Sequence, residues 1–282
     1  MNKIIFAFII SLWGLQNIYP ARISRPNPRA VAMSIIDSGN IRVFYALNAV
    51  DIKKTETYDD LQRLEIGTKI SKYFSHFVYN SDSLISEWAK LNKGRQSVPR
   101  WMGDRGKDDN WSEYYYTDYF KDFSAGKLTE YVRMPWGGLP DFQCSGNIPV
   151  QEWTIEDDTL TIAGYLCQKA TCRFGGRDFI AWFTPSIPIS NGPWKFGGLP
   201  GLILKVYDND KLYTFECIRI ENNKEKYPIK MHNYNNHTNI KREKLLELYN
   251  KIHDDYHKVA GINFTYTTPP PPKVPYHPLE LE

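Results

Sequence analysis

The chain has 282 residues, of which 42% are hydrophobic and 15% aromatic. That is enough apolar material for one full core, which predicts a single mature domain. Lys and Arg number 35 against 32 Asp and Glu, and this net charge of +3, spread without clustering, excludes a nucleic-acid-binding reading.

The first element is an export signal. Lys3 is followed by an apolar run from Ile4 to Leu15 that is too short to span a bilayer but fits a signal-peptide core. Residues 1–21 are therefore assigned to the signal, with cleavage between Gly14 and Ala21. Leu15 follows Leu12-Trp13-Gly14 where a lipoprotein needs Cys, so lipid anchoring is not expected, and no later segment reaches membrane-spanning length. The expected location is the periplasm or outer envelope, with secretion as the alternative.

The mature domain is assigned to residues 22–267. Ile41 to Val50 reads as a strand, and Thr57 to Phe77 as two more split at Gly67-Thr68. Asn80 to Lys93 carries a helical stripe of Leu84, Ile85, Trp88 and Leu91, with Asn80, Ser81 or Asp82 as its cap. Tyr114 to Phe123 and Lys127 to Met134 flank Ser124-Ala125-Gly126, a hairpin signal. Thr161 to Phe174 reads as one strand, and Gly175-Gly176 turns it into Arg177 to Thr184, because glycine tolerates positive φ. Leu202 to Tyr207 and Leu212 to Ile220 form the next pair about Asp208-Asn209-Asp210. Short turns between successive strands require antiparallel neighbours. A helix from Ile240 to His257, capped by Asn239, follows, and residues 268–282 read as a Pro-rich extended tail. The expected class is mainly β (α+β), a curved antiparallel sheet or partly open barrel with a few packed helices.

Four cysteines, Cys144, Cys167, Cys172 and Cys217, suit an oxidising compartment. Cys167 and Cys172 are an odd number apart and point to opposite faces of a strand, which favours a bond across neighbouring strands with Cys217 as partner; buried free thiols are the alternative. The spacing is not a zinc pattern.

The segment from Ile187 to Leu204 packs Gly192, Gly197, Gly198 and Gly201 with Pro188, Pro193 and Pro200 around Trp194 and Phe196. Such density fixes one backbone path. It reads either as a contacting loop or as a crossing that plugs the sheet. On the first reading the candidate ligand- or partner-binding residues are Trp194, Phe196, Arg177 and Trp182, since Trp and Arg concentrate at binding hot spots.

The run Gly198-Leu199-Pro200-Gly201-Leu202-Ile203, with Trp153, Ile162 to Ala170, Gly176-Arg177, Ala181 to Thr184 and the ending Pro275 to Glu280, resembles the GLPGLI family of exported Bacteroidota proteins. The resemblance implies export and association with TonB-dependent outer-membrane receptors. It carries over no catalytic residue. The strand pattern is also similar to the periplasmic lipoprotein-carrier fold, an analogy of fold alone.

No Gly-x-Ser-x-Gly elbow, P-loop, dinucleotide fingerprint or H-E-x-x-H is present. Asp157-Asp158 and Asp254-Asp255 read as solvated. His253 and His257 are four apart on a helix and share a face, which makes them candidate Zn or Cu ligands, with His232 and His237 as further donors. Asp82-Ser83-Leu84 and Asp158-Thr159-Leu160 fit a short O-glycosylation pattern of this phylum. The function expected from these features is a non-enzymatic envelope binding or accessory protein, which works with an outer-membrane transport system or holds an apolar or peptide ligand in a concave sheet. A hydrolase assembled from distant residues and a metal-binding envelope protein are the alternatives.

Overall fold

The computed structural model describes residues 23–29, 32–95, 97–108, 110–262 and 275–282. The signal segment lies outside them. Twelve strands form one open sheet: β1 (Met33–Leu47), β2 (Asp60–Ile66), β3 (Ile70–Ser75), β4 (Thr117–Asp122), β5 (Lys127–Val132), β6 (Phe142–Asn147), β7 (Thr154–Ile162), β8 (Tyr165–Phe174), β9 (Arg177–Thr184), β10 (Leu202–Asp208), β11 (Thr214–His232) and β12 (Thr238–Asn239). Two α-helices are described, α1 (His76–Leu91) and α2 (Arg242–Val259). The spatial order is β12-β6-β5-β4-β3-β2-β1-β11-β10-β9-β8-β7. Every described pairing is antiparallel except the short β12–β6 contact. The mainly β, antiparallel architecture expected from the turns is therefore present, as an open sheet and not a closed barrel.

Local sequence sets most of the turns. Gly175 and Gly176 both have positive φ, 53° and 76°, as a type I′ hairpin requires. The strand expected from Thr161 to Phe174 is instead the end of β7 and the whole of β8. Ala163 and Gly164 adopt φ of 49° and 84°, so a second tight hairpin splits the run. Helix α1 starts earlier than expected, because Ser75 Oγ accepts from the Val78 N–H at 3.0 Å and caps it. In α2, Leu245, Tyr249, Ile252 and Tyr256 form the buried stripe, packed with Val132, Met134 and Phe142. Its cap position is Lys241, without a side-chain bond, and not the expected Asn239.

The sheet curls around residues 187–204. Glu130 on β5 contacts Lys195 at 3.1 Å, while the ring of Phe179 on β9 lies 4.9 Å from Phe196. β5 and β9 are seven strand steps apart, about 34 Å along a flat sheet at the usual spacing. Adjacent residues of one loop touch both only if the sheet bends around it. The largest core cluster fills that bend with Tyr45, Leu64, Phe183, Trp194, Phe196, Leu199 and their neighbours.

All four cysteines are buried free thiols. The expected bond between neighbouring strands is not formed, and the strands flanking Cys217 on β11, β1 and β10, carry no cysteine. Burial pushes the Cys172 and Cys217 thiols up to about 12.

Candidate functional site

The Gly/Pro segment is part of the core. Trp194 is 2% exposed and Phe196 0%, so the expectation that these rings offer a contact surface is corrected: they plug the bend. Lys121, buried on β4, donates to the Phe196 carbonyl at 2.5 Å and to Asn191 Oδ1 at 3.2 Å. Burial lowers its ammonium to about 7. Trp153 Nε1 donates to the Gly197 carbonyl at 2.7 Å, and the Tyr45 hydroxyl to that of Ile203 at 2.8 Å. A Cβ on Gly201 would lie 2.2 Å from the Thr184 carbonyl oxygen, which is why glycine stands there. Arg177 is also buried, paired with Asp208 at 3.3 Å and donating twice to the Pro278 carbonyl. Trp182 is half-buried on β9 between Lys169 and Lys205 of the flanking strands.

The helix histidines do not make a metal site. Asp255, between them, has φ −153° and ψ 84°, so the helix is broken and the four-residue spacing no longer places His253 and His257 on one face. His253 stacks on Tyr276 with ring centroids 3.8 Å apart and reaches the buried carboxylate of Glu113 at 3.3 Å. Among the described residues no group of three His, Cys, Asp or Glu side chains is arranged to hold a metal ion.

His232 and His237 do line a cleft, but with other partners. β11 ends at His232, and a turn closed by His237 N–H to the Tyr234 carbonyl at 2.9 Å carries His237 back toward β6. Together with Arg29, Leu139, Asp141 and Asn236 they enclose a cleft of about 490 Å³. The polar atoms here stop short of one another. Arg29 lies 3.8 Å from Asp118 and 3.8 Å from Asp141, and His237 Nε2 lies 3.9 Å from Asp141. These distances are beyond hydrogen bonding. Arg29 Nη2, His232 Nδ1 and both ring nitrogens of His237 are buried without a hydrogen-bond partner. Burial is the largest influence on His232 and lowers it to about 4, and burial lowers His237 as well. Both rings are therefore neutral near pH 7, each with one donor and one acceptor nitrogen. Behind the cleft, across Arg29 and His232, an inner cavity of about 20 Å³ is lined by Lys72, Asp82, Asp118 and Arg133. Burial alone would raise Asp118, but Lys72, His232, Arg29 and the Tyr234 hydroxyl outweigh it and hold the carboxyl below its ordinary value.

In the sequence His232 and His237 stand only as further donors to a helix metal site, and nothing local joins Arg29, Asp118 and Asp141 to them. The available signal was the polar run His232-Asn233-Tyr234-Asn235-Asn236-His237, dense in imidazole and amide groups, directly before a helix.

Residues 176–205 match a family model. Its description is "Protein of unknown function (Porph_ging)", a Bacteroidota-associated domain. The match covers β9, the plug and most of β10. No curated protein matches the chain. Among solved structures, the chain is similar to PNGF-II in a P21 crystal form, with TM-score 0.47 and 14% identity over 75% of this chain and 33% of that one. A C2 form of PNGF-II gives TM-score 0.45 and 15% identity, over 77% of this chain and 32% of that one. The chain thus spans about a third of the length of those chains.

Proposed function

We propose that this is an exported, non-enzymatic binding or accessory protein of the GLPGLI type, and that its binding site is the Arg29–His237 cleft. The carrying observation is the set of buried, unpartnered nitrogens on Arg29, His232 and His237 that line an open cleft. Buried polar groups are ordinarily bonded, and leaving one unsatisfied costs about 1–3 kcal/mol. A ligand bearing oxygen atoms removes that cost on binding. Arg29 is offset by Asp118 and Asp141, so a small polar ligand without large net charge fits best. The bend of the sheet, where an apolar ligand was expected, is occupied by Trp194, Phe196 and Leu199. The hydrolase alternative gains no support from this cleft, because His237 and Asp141 stand beyond hydrogen-bond reach of each other.

Native mass spectrometry of the protein purified from its own envelope tests the reading. A small polar adduct is expected on the wild type and is expected to be lost from His237→Leu. Absence of any adduct, together with no thermal shift from millimolar polar metabolites, would sink it. Envelope placement and the link to a TonB-dependent receptor belong to the same proposal. Fractionation and a pull-down from native membranes test them, and recovery from the cytoplasm without such a receptor counts against them.

A further inference from the structure

The last described segment, residues 275–282, is held in a way that differs from every strand. It pairs with no strand of the sheet. Instead the domain reads its backbone group by group. Arg177 Nε and Nη2 donate to the Pro278 carbonyl at 2.8 and 2.6 Å. The Tyr213 hydroxyl donates to the His277 carbonyl at 2.7 Å, and the Leu279 N–H donates to the Tyr114 hydroxyl at 2.7 Å. The Leu281 N–H donates to the Gly175 carbonyl at 2.8 Å.

Its side chains are sorted as a bound peptide's are. Leu279 is 0% exposed and enters the main core cluster as a single apolar anchor. Tyr276 stacks on His253 and its hydroxyl bonds Glu113. Glu280 meets Lys195 at 2.7 Å and bonds Arg242 as well. Lys195 and Arg242 also share Glu130, at 3.1 and 2.9 Å. A buried lysine and a half-buried arginine thus face one carboxylate of the domain, and the arriving Glu280 supplies the second. Pro275 and Pro278 preset an extended backbone, which reduces the entropy lost on docking.

We propose that the groove formed by Tyr114, Arg177, Lys195, Tyr213 and Arg242 is a peptide-recognition site for an extended segment of the type aromatic-x-Pro-Leu-acid, and that residues 276–280 occupy it in cis. The buried leucine gives affinity, the guanidinium and hydroxyls fix register, and the paired cations demand the acid. A peptide of this pattern from elsewhere competes with the tail for the same groove. This site is separate from the Arg29–His237 cleft and does not depend on it.

The test uses the full chain with a protease site placed between Ile262 and Pro275, cut after folding. A fluorescent peptide with the sequence of residues 275–282 is then added. The cut protein is expected to exchange its tail and take up the peptide at one site per chain, and the uncut chain to bind at least tenfold more weakly. Peptides carrying Leu279→Ala or Glu280→Gln are expected to bind at least tenfold more weakly than the native one. Should cutting melt the fold, the uncut Leu279→Ala chain, whose own tail is weakened, serves as the receptor. A folded receptor that takes up no peptide, or takes up both variant peptides as well as the native one, overturns the proposal.

Discussion

The bend of the sheet and the cleft beyond β11 differ in how far they satisfy their polar groups. In the bend, the carbonyls of Gly197, Phe196 and Ile203 each receive a side-chain donor, and Glu130 and Glu280 are both paired with Lys195 and Arg242. In the cleft, two imidazoles and a guanidinium keep buried nitrogens without partners. Hydrophobic density and mostly bonded polar atoms mark the first as structure, with Asn191 Nδ2 as an exception inside the plug. The second retains unused hydrogen-bonding capacity, which is what the proposed recognition role rests on. Trp and Arg content alone pointed to Trp194 and Phe196, which are buried, because the same residue types build cores and contact surfaces.

The largest effect is expected in the bend. Phe196→Ala should cost about 3–5 kcal/mol, the usual range for a buried phenylalanine, measured as a fall in the urea midpoint of unfolding. Trp194→Ala should unfold the domain to a similar degree. Gly201→Ala forces a Cβ to 2.2 Å from a backbone oxygen, so the loop entry must shift and the midpoint should fall as well. Near-native stability in all three would break the distinction between the two regions.

Acid titration sharpens it. An unfolded histidine takes up a proton near pH 6.5, whereas folded His232, kept neutral mainly by burial, does so only at about 4. Between those values the unfolded state binds more protons, so stability falls as pH drops through that window and levels below it. The loss is on the order of 3 kcal/mol, and His76, lowered to about 4 by burial and nearby arginines, adds to the same window. Glu130 behaves differently. Burial would raise it, but Lys195 and Arg242 outweigh that and leave it below its ordinary value. Its contribution is present above its unfolded value and is lost only as pH falls through the depressed folded one. The cleft should therefore lose stability first on acidification. Chemical denaturation of wild type and His232→Gln from pH 7 to 4 checks this, and an unchanged slope in the variant would contradict it.

Hairpins were legible where glycine announced them, as at Gly175-Gly176 and Ser124-Ala125-Gly126. The turn at Ala163-Gly164 was not, because alanine rarely takes positive φ and gives no local cue. The class of fold followed from turn spacing, but the bend did not, since it depends on Lys195 and Phe196 touching strands seven positions apart. Of the tail read from residue 268 onward, residues 268–274 lie outside the described residues, and the docking of 275–282 rests on Arg177 and Tyr213, far away in sequence. The cleft was half visible. His232 and His237 stand in one polar run, but Arg29 and Asp118 reach them only through the fold. A four-residue histidine spacing likewise predicts a shared face only while the helix between is intact, and the break at Asp255 removes that premise.

The smallest expected change separates the regions most cleanly. His237 buries two ring nitrogens that form no well-made hydrogen bond, and Asp141 at 3.9 Å and the Tyr234 backbone offset only part of their desolvation. Replacing the ring by leucine removes both atoms and keeps an apolar body against Tyr131 and Tyr234, whose rings it now meets edge-on. Stability should therefore hold or rise by up to about 1 kcal/mol, read as an unchanged or higher melting temperature. A buried histidine that served the fold would behave in the opposite way and destabilise the protein on substitution. A drop of several degrees in His237→Leu would mean that the ring is structural, and the cleft would then lose its claim to be the place where this protein differs from a sealed core.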